Sequence, residues 1–125
     1  MNKDMIARNA SCDAITGLVN TGTNYSSGYV GIFNADTTMV ARLFYSNPAY
    51  SSAVDSTAYA YPITDATALR DATAVSYGVF NRDSTRIWQG IVSSTPGAGD
   101  LVLETTALKQ GMKVTISSAY YVVPA

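Results

Sequence analysis

Apolar positions along the chain change period once, near its start. From Lys3 to Val19 the apolar residues Met5, Ile6, Ala10, Cys12, Ala14, Ile15, Leu18 and Val19 recur at helical spacing, which predicts one amphipathic helix over 3–19. Asn2 is placed to cap it. Asn20, Thr21 and Gly22 stop it, with Gly22 at the left-handed position that ends many helices. Arg8, Asn9, Asp13 and Thr16 fall on the expected wet face. After the polar loop "NTGTNYSSG" the period becomes two. Runs at Tyr29–Phe33, Thr38–Ser46, Ser56–Thr64, Ala74–Asn81, Arg86–Ser93, Asp100–Glu104 and Met112–Pro124 read as strands separated by turn formers.

Within these runs the alternation assigns faces. Met39, Ala41, Leu43 and Tyr45 share one side; Val40, Arg42 and Phe44 share the other. Val75, Tyr77 and Val79 belong together, and Trp88 and Val92 oppose Ile87, Gln89 and Ile91. Ala74–Asn81 and Arg86–Ser93, joined by the turn "RDST", form the clearest hairpin. "DATALRDATA" has helical composition but no apolar stripe, so it reads as a loop leading into a strand. Gly111 reads as a positive-φ turn residue. About seven strands in one domain of 125 residues predict an antiparallel β-sandwich, of jelly-roll or immunoglobulin size, with one N-terminal helix: helix 3–19, strands 29–124. Such a helix would cap an open end of the sandwich or a sheet edge.

Composition narrows the chemistry. There is no histidine and only one cysteine, Cys12, so His-based catalytic dyads and thiolate zinc clusters are absent from the chain. No phosphate-cradling glycine motif is present, since "GAGD" at Gly97–Asp100 lacks a strand–loop–helix context. The carboxylates lie mostly in turns beside Ser, Thr, Asn or Gly, where they bond nearby backbone. We expect no catalytic residue, no metal site, no cofactor and no enzymatic activity. Cys12, on the apolar side of the helix, reads as a packed residue rather than a reactive thiol. The eight Lys and Arg are scattered and net charge is −1, which argues against nucleic-acid binding. No run of apolar residues is long enough to span a membrane, and the opening "MNKD" has no apolar signal core, so we expect synthesis in the cytoplasm without Sec export.

Charged residues make up only 14% of the chain, against about 25% in an ordinary soluble domain. A surface so weakly charged is poorly protected against association. Nine tyrosines add contact area at low entropic cost. The candidate interface is Tyr59, Tyr61, Trp88 and Tyr121 together with the N-terminal Met1, Asn2 and Lys3. Tyr59 and Tyr61 could alternatively form a sugar-stacking platform.

The order of these signals resembles a family of small tailed-bacteriophage virion proteins. "DAITGLVNTGT" leads to "GYVGIF". "ARLFYSNPAY" ends a strand in Pro-Ala-aromatic. "AVSYGVFNRDSTRIWQGIVS" makes a hairpin, and "GDLVLETTALKQGMKVTISSAYYVVP" closes the chain. The likeness runs from Ala10 to Pro124. It departs from the family at "DATA", Asp71–Ala74, where a small-residue Gly-Thr-Ala is usual, and at Arg82, which lies in the turn instead of the strand. The resemblance implies a β-sandwich virion component. First is a head decoration (cement) protein binding the major capsid protein on the capsid exterior, as a homo-oligomer with a trimer preferred. A neck, tail or fibre-associated component is second. A carbohydrate-binding module aiding adsorption is the rival from another class.

Overall fold

The computed structural model describes residues 5–94, 101–103 and 105–122, with backbone alone at 94, 117 and 118. The chain is mainly β with an N-terminal helix, as its periodicity predicts. Helix α1 spans Met5–Gly17 and tightens into a 3-10 turn, Leu18–Asn20. Eleven strands follow in the described residues: β1 Tyr29–Phe33, β2 Met39–Phe44, β3 Thr57–Tyr59, β4 Ala66–Thr67, β5 Ala72–Thr73, β6 Ser76–Phe80, β7 Arg86–Ser94, β8 Leu101–Leu103, β9 Ala107–Leu108, β10 Lys113–Val114 and β11 Ile116–Val122.

Seven of them form one strongly curled half-barrel sheet, in the order β2-β1-β6-β7-β8-β11-β3. The β6–β7 hairpin is present, with Val79 opposite Trp88 and Tyr77 opposite Gly90. The sheet is mixed where an all-antiparallel arrangement is expected from the sequence: β7 and β8 run parallel, Val92 beside Leu101. Alternation assigns a side chain to a face but does not encode which strand lies alongside, so this pairing leaves no local mark.

The segments 66–74 and 106–114 run antiparallel as a bent ribbon. They pair at β4–β10 (Ala66 with Val114) and at β5–β9 (Ala72 with Leu108). Between those pairs, Ala68 donates its N–H to the Met112 carbonyl, and Gly111, at φ +82, donates to Ala68. "DATALRDATA" is therefore strand and loop, not helix. The ribbon brings Ala68, Ala74, Leu108 and Val114 into the same core as Val30, Ile32, Leu43, Val79, Leu101 and Leu103 from the sheet.

Both outer strands of the sheet are covered by the chain itself. Along β2, Leu69 donates to Val40 and Thr64 to Phe44; along β3, Ser51 donates to Tyr59. Unpaired strand edges invite pairing with other chains, and these are blunted. Val40, expected beside Arg42 and Phe44, is buried instead. It is the extra residue of a bulge, because Ala41 faces Ile32 and Met39 faces Phe33.

The helix departs most from its sequence reading. Its inward residues are Cys12, Thr16 and Val19, all at most 4% exposed. Ile6 is 86% exposed and Leu18 46%. Thr16, expected in water, is buried and Asn9 is half-buried, while Asp13 is exposed as expected, yet its carboxylate also reaches the neighbouring loop. Asn9 Oδ1 accepts the Ser56 N–H at 2.8 Å, Asp13 Oδ1 accepts Ala53 N–H at 2.7 Å, and Asn20 Oδ1 accepts Ala49 N–H at 3.0 Å. The Thr16 hydroxyl bonds back to the Cys12 carbonyl at 3.0 Å. The physical reason is the loop 45–56. Its backbone N–H groups need acceptors, and side chains three, four and seven residues apart on a helix supply a column of them. The helix is a clamp for that loop as much as a cover for the core.

Candidate functional site

Tyr59 and Tyr61 are exposed, at 61% and 45%. Trp88 and Tyr121 are half-buried and pack on the core, with ring centroids 4.7 Å apart. They end a chain of rings: Tyr45 lies 5.3 Å from Tyr50, and Tyr50 lies 5.7 Å from Trp88. The four tyrosine and tryptophan candidates therefore do not form one patch. Register explains the split. Tyr120 lies opposite Tyr59 and Tyr121 opposite Ala58, so Tyr59 and Tyr120 project to one face and Tyr121 to the other. The Tyr59 and Tyr120 rings are 5.9 Å apart. Tyr120 is the member of the outer pair that the sequence reading left out. The Tyr-Tyr dipeptide told that one of the two faces outward but not which. Met1, Asn2 and Lys3 lie outside the described residues, as does the Asn2 cap.

The buried tyrosines are structural. The Tyr45 and Tyr50 hydroxyls are hydrogen-bonded at 2.8 Å, and burial raises both far above the ordinary phenol value. They stay neutral and offer no base. Cys12 is fully buried, its Sγ 3.6 Å from the Tyr121 carbonyl, and burial raises its thiol, helped by the Asp13 charge. A thiol held protonated and out of reach is a packing residue.

A second aromatic group occupies the outer face of β1, β2 and β6. Tyr25, Tyr29, Phe33, Phe44 and Phe80 meet ring to ring, the tightest pair being Tyr29 and Phe80 at 4.9 Å. They lie over Gly31 and Gly78, neighbours across β1 and β6. A Cβ on either glycine would stand 3.0–3.1 Å from the Phe80 ring. The Arg42 guanidinium lies over Tyr29 at 4.8 Å and Tyr25 at 5.9 Å from the ring centres. The signal was present in the sequence: Arg42 and Phe44 alternate away from Leu43, and Tyr29, Gly31 and Phe33 away from Val30.

Two polar features complete the surface. The loop 21–25 and the turn 81–85 clasp each other. Asp83 Oδ1 accepts the N–H groups of Thr23 and Asn24 at 2.9 and 3.0 Å, and those bonds hold its carboxyl below the ordinary range. Gly22, at φ +117, lets the backbone pass so close that a Cβ there would sit 2.8 Å from Asp83 Cγ. Lys113 pairs with Asp65 at 3.1 Å, and both line a cleft that Arg42 also lines. Among the described residues no cluster of three or more metal-ligating side chains occurs, and no helix is long and apolar enough to cross a membrane. Comparison of the chain with protein-family models, with curated proteins and with solved structures finds no match.

Proposed function

We propose that this chain is a non-enzymatic structural protein of a tailed-phage virion, most specifically a head decoration protein that binds the major capsid protein on the capsid exterior. The observation that carries the reading is a set of large apolar side chains left in water on a weakly charged surface. Ile6, Ile91, Val54 and Tyr59 are 86%, 74%, 67% and 61% exposed. Protein interfaces place apolar and aromatic residues at the centre with polar groups around them. A subunit repeated many times on a shell gains avidity from a modest contact of that kind. The resemblance in motif order, from Ala10 to Pro124, supplies the phage context. In this reading the chain assembles as a homo-oligomer, preferably a trimer, and contacts neither nucleic acid nor membrane. The finer architecture belongs to the proposal too: ribbon and helix together serve as the second layer of a β-sandwich.

The test is copy number in purified particles, measured by quantitative mass spectrometry. Hundreds of copies support head decoration. A dozen or fewer would shift the protein to the neck, tail or fibre. Absence from particles would end the virion reading. A second reading, a carbohydrate-binding module, draws on the outward Tyr59 and Tyr120 rings with Tyr61 exposed nearby in sequence. Tyr59→Ala with Tyr61→Ala should leave the monomer's melting unchanged and weaken particle binding; on a glycan array we expect no binding by the wild type, and specific binding lost in that double variant would replace the decoration reading.

A further inference from the structure

The cleft beside β2, β4 and β10 has a charge pattern that neither the core nor the assembly reading uses. It measures about 580 Å³ and is lined by Arg42, Asp65, Ala66, Thr67, Leu69 and Lys113. That is within the usual size range for a small-molecule site. Its charges are not equivalent. Lys113 is answered by Asp65 at 3.1 Å, and Asp65 is also hydrogen-bonded by the Thr115 side chain. Arg42 has no such answer among the described residues. Its side chain makes no hydrogen bond or ion pair among the described residues, and its Nε is shut away from solvent without a partner. The guanidinium instead lies over two tyrosine rings, 4.8 Å from the centre of Tyr29 and 5.9 Å from that of Tyr25. Among the described residues lining it, the site thus carries one net positive charge, on the planar fork of Arg42, beside the apolar walls of Ala66 and Leu69.

We propose that this cleft binds a small monocarboxylate with an apolar body, its carboxylate on Arg42 and its body against Leu69 and Ala66. A guanidinium fork matches a planar carboxylate with two parallel N–H···O bonds. Leu69 is 51% exposed, which leaves apolar surface for the ligand to cover. A dianion such as phosphate fits less well, because Asp65 already neutralises the second cation and would repel the extra charge. The inference does not depend on where the protein sits in a particle.

Benzoate titrated into the isotopically labelled full chain, followed by amide NMR, tests it. Shifts should centre on Ala66, Thr67 and Leu69, and inorganic phosphate should produce weaker ones. Arg42→Gln should weaken benzoate binding roughly ten- to a hundredfold, the usual worth of hydrogen bonds to a charged group. Arg42→Lys keeps a cation over the tyrosine rings but loses the fork; it should weaken benzoate several-fold and serves if the Gln variant does not fold. Asp65→Asn should strengthen phosphate binding, since Lys113 is then free. Three results would overturn the proposal: no shift at the cleft amides up to about 10 mM benzoate, ten times a millimolar Kd; benzoate affinity unchanged in a folded Arg42 variant; or phosphate binding the wild type as tightly as benzoate.

Discussion

Adjacent residues Val19 and Leu18 offer a sharp test of how the N-terminal helix packs. By hydrophobicity Leu18 is the larger contributor. In the fold the ranking reverses, since Val19 is fully buried and Leu18 is 46% exposed. Val19→Ala deletes two carbons from a closed site, worth about 0.8 kcal/mol each in transfer alone, or about 1.6 kcal/mol. The site cannot collapse freely. Val19 Cγ1 and the Val19 carbonyl crowd Gly28 so closely that a Cβ there would stand 2.5–2.6 Å from them. A residual cavity raises the expected cost to about 2–3 kcal/mol. Leu18→Ala deletes three carbons, but roughly half of that surface is already wet and no cavity follows, so the expected cost is about 1 kcal/mol or less.

Urea unfolding of the two variants followed by tryptophan fluorescence reads the difference, since Trp88 packs on the core the helix covers. With a slope of about 1–3 kcal/mol per molar urea, Val19→Ala should lower the midpoint by about 1 M or more, and Leu18→Ala by well under that. The loss for Val19 is a large share of a domain stability of about 5–15 kcal/mol. A Leu18 variant that costs as much as the Val19 variant would mean that the helix is rotated from the orientation described, with Leu18 turned inward. The account of the helix as a loop clamp would fall with it.

Two further outcomes follow from the same contacts. Asn9→Ala and Asp13→Ala each remove the acceptor of a loop N–H; each should cost about 0.5–1.5 kcal/mol and speed hydrogen exchange at Ser56 or Ala53 while leaving Val30 and Val79 protected, and unchanged exchange at those loop amides would contradict the clamp. Asp83 and Asp65 both have carboxyls held below the ordinary value, by backbone N–H groups and by Lys113 respectively; a depressed folded value means their contribution is present above the unfolded carboxylate value of about 3.9 and is lost as pH falls through the folded values, so Asp83→Asn should flatten the acid side of a melting-temperature profile, and an unaltered profile would remove Asp83 from the acid response.

The strands that could be read from the sequence are those whose alternation is strong and whose partner is next in the chain. The β6–β7 pair is such a case, Val79 against Trp88 and Tyr77 against Gly90, with "RDST" closing the turn. Gly22 and Gly111 were legible because a positive φ leaves few other choices of residue. The ribbon was not legible as a pairing. Ala66–Thr67 and Ala72–Thr73 are two-residue strands without hydrophobic contrast, and their partners lie some forty residues further on. The helix orientation failed for another reason. Hydrophobic periodicity assumes that the inward face is the apolar one. Here the structure that must be held is a loop whose N–H groups need acceptors, so Asn9, Asp13 and Asn20 serve that loop, Asp13 from an exposed position, and Ile6 and Leu18 turn out. A column of Asn and Asp at helical spacing was visible throughout; its meaning depended on a loop forty residues away.

The covered edges bear on how any assembly would be built. With β2 capped by Thr64 and Leu69 and β3 by Ser51, another chain could add a strand only after segments 61–70 or 49–54 had been peeled away. Opening β3 would also break the clamp, because Ala49, Ala53 and Ser56 are held by the helix. Association through edges is therefore costly at both ends of the sheet. Association through faces costs no internal hydrogen bond, since Tyr59, Ile91 and Val54 already stand in solvent. A weakly charged surface with closed edges thus favours subunits that meet side chain to side chain. Binding of that kind should survive substitutions at the capping residues Ser51, Thr64 and Leu69 and respond to those at Tyr59, Ile91 and Val54.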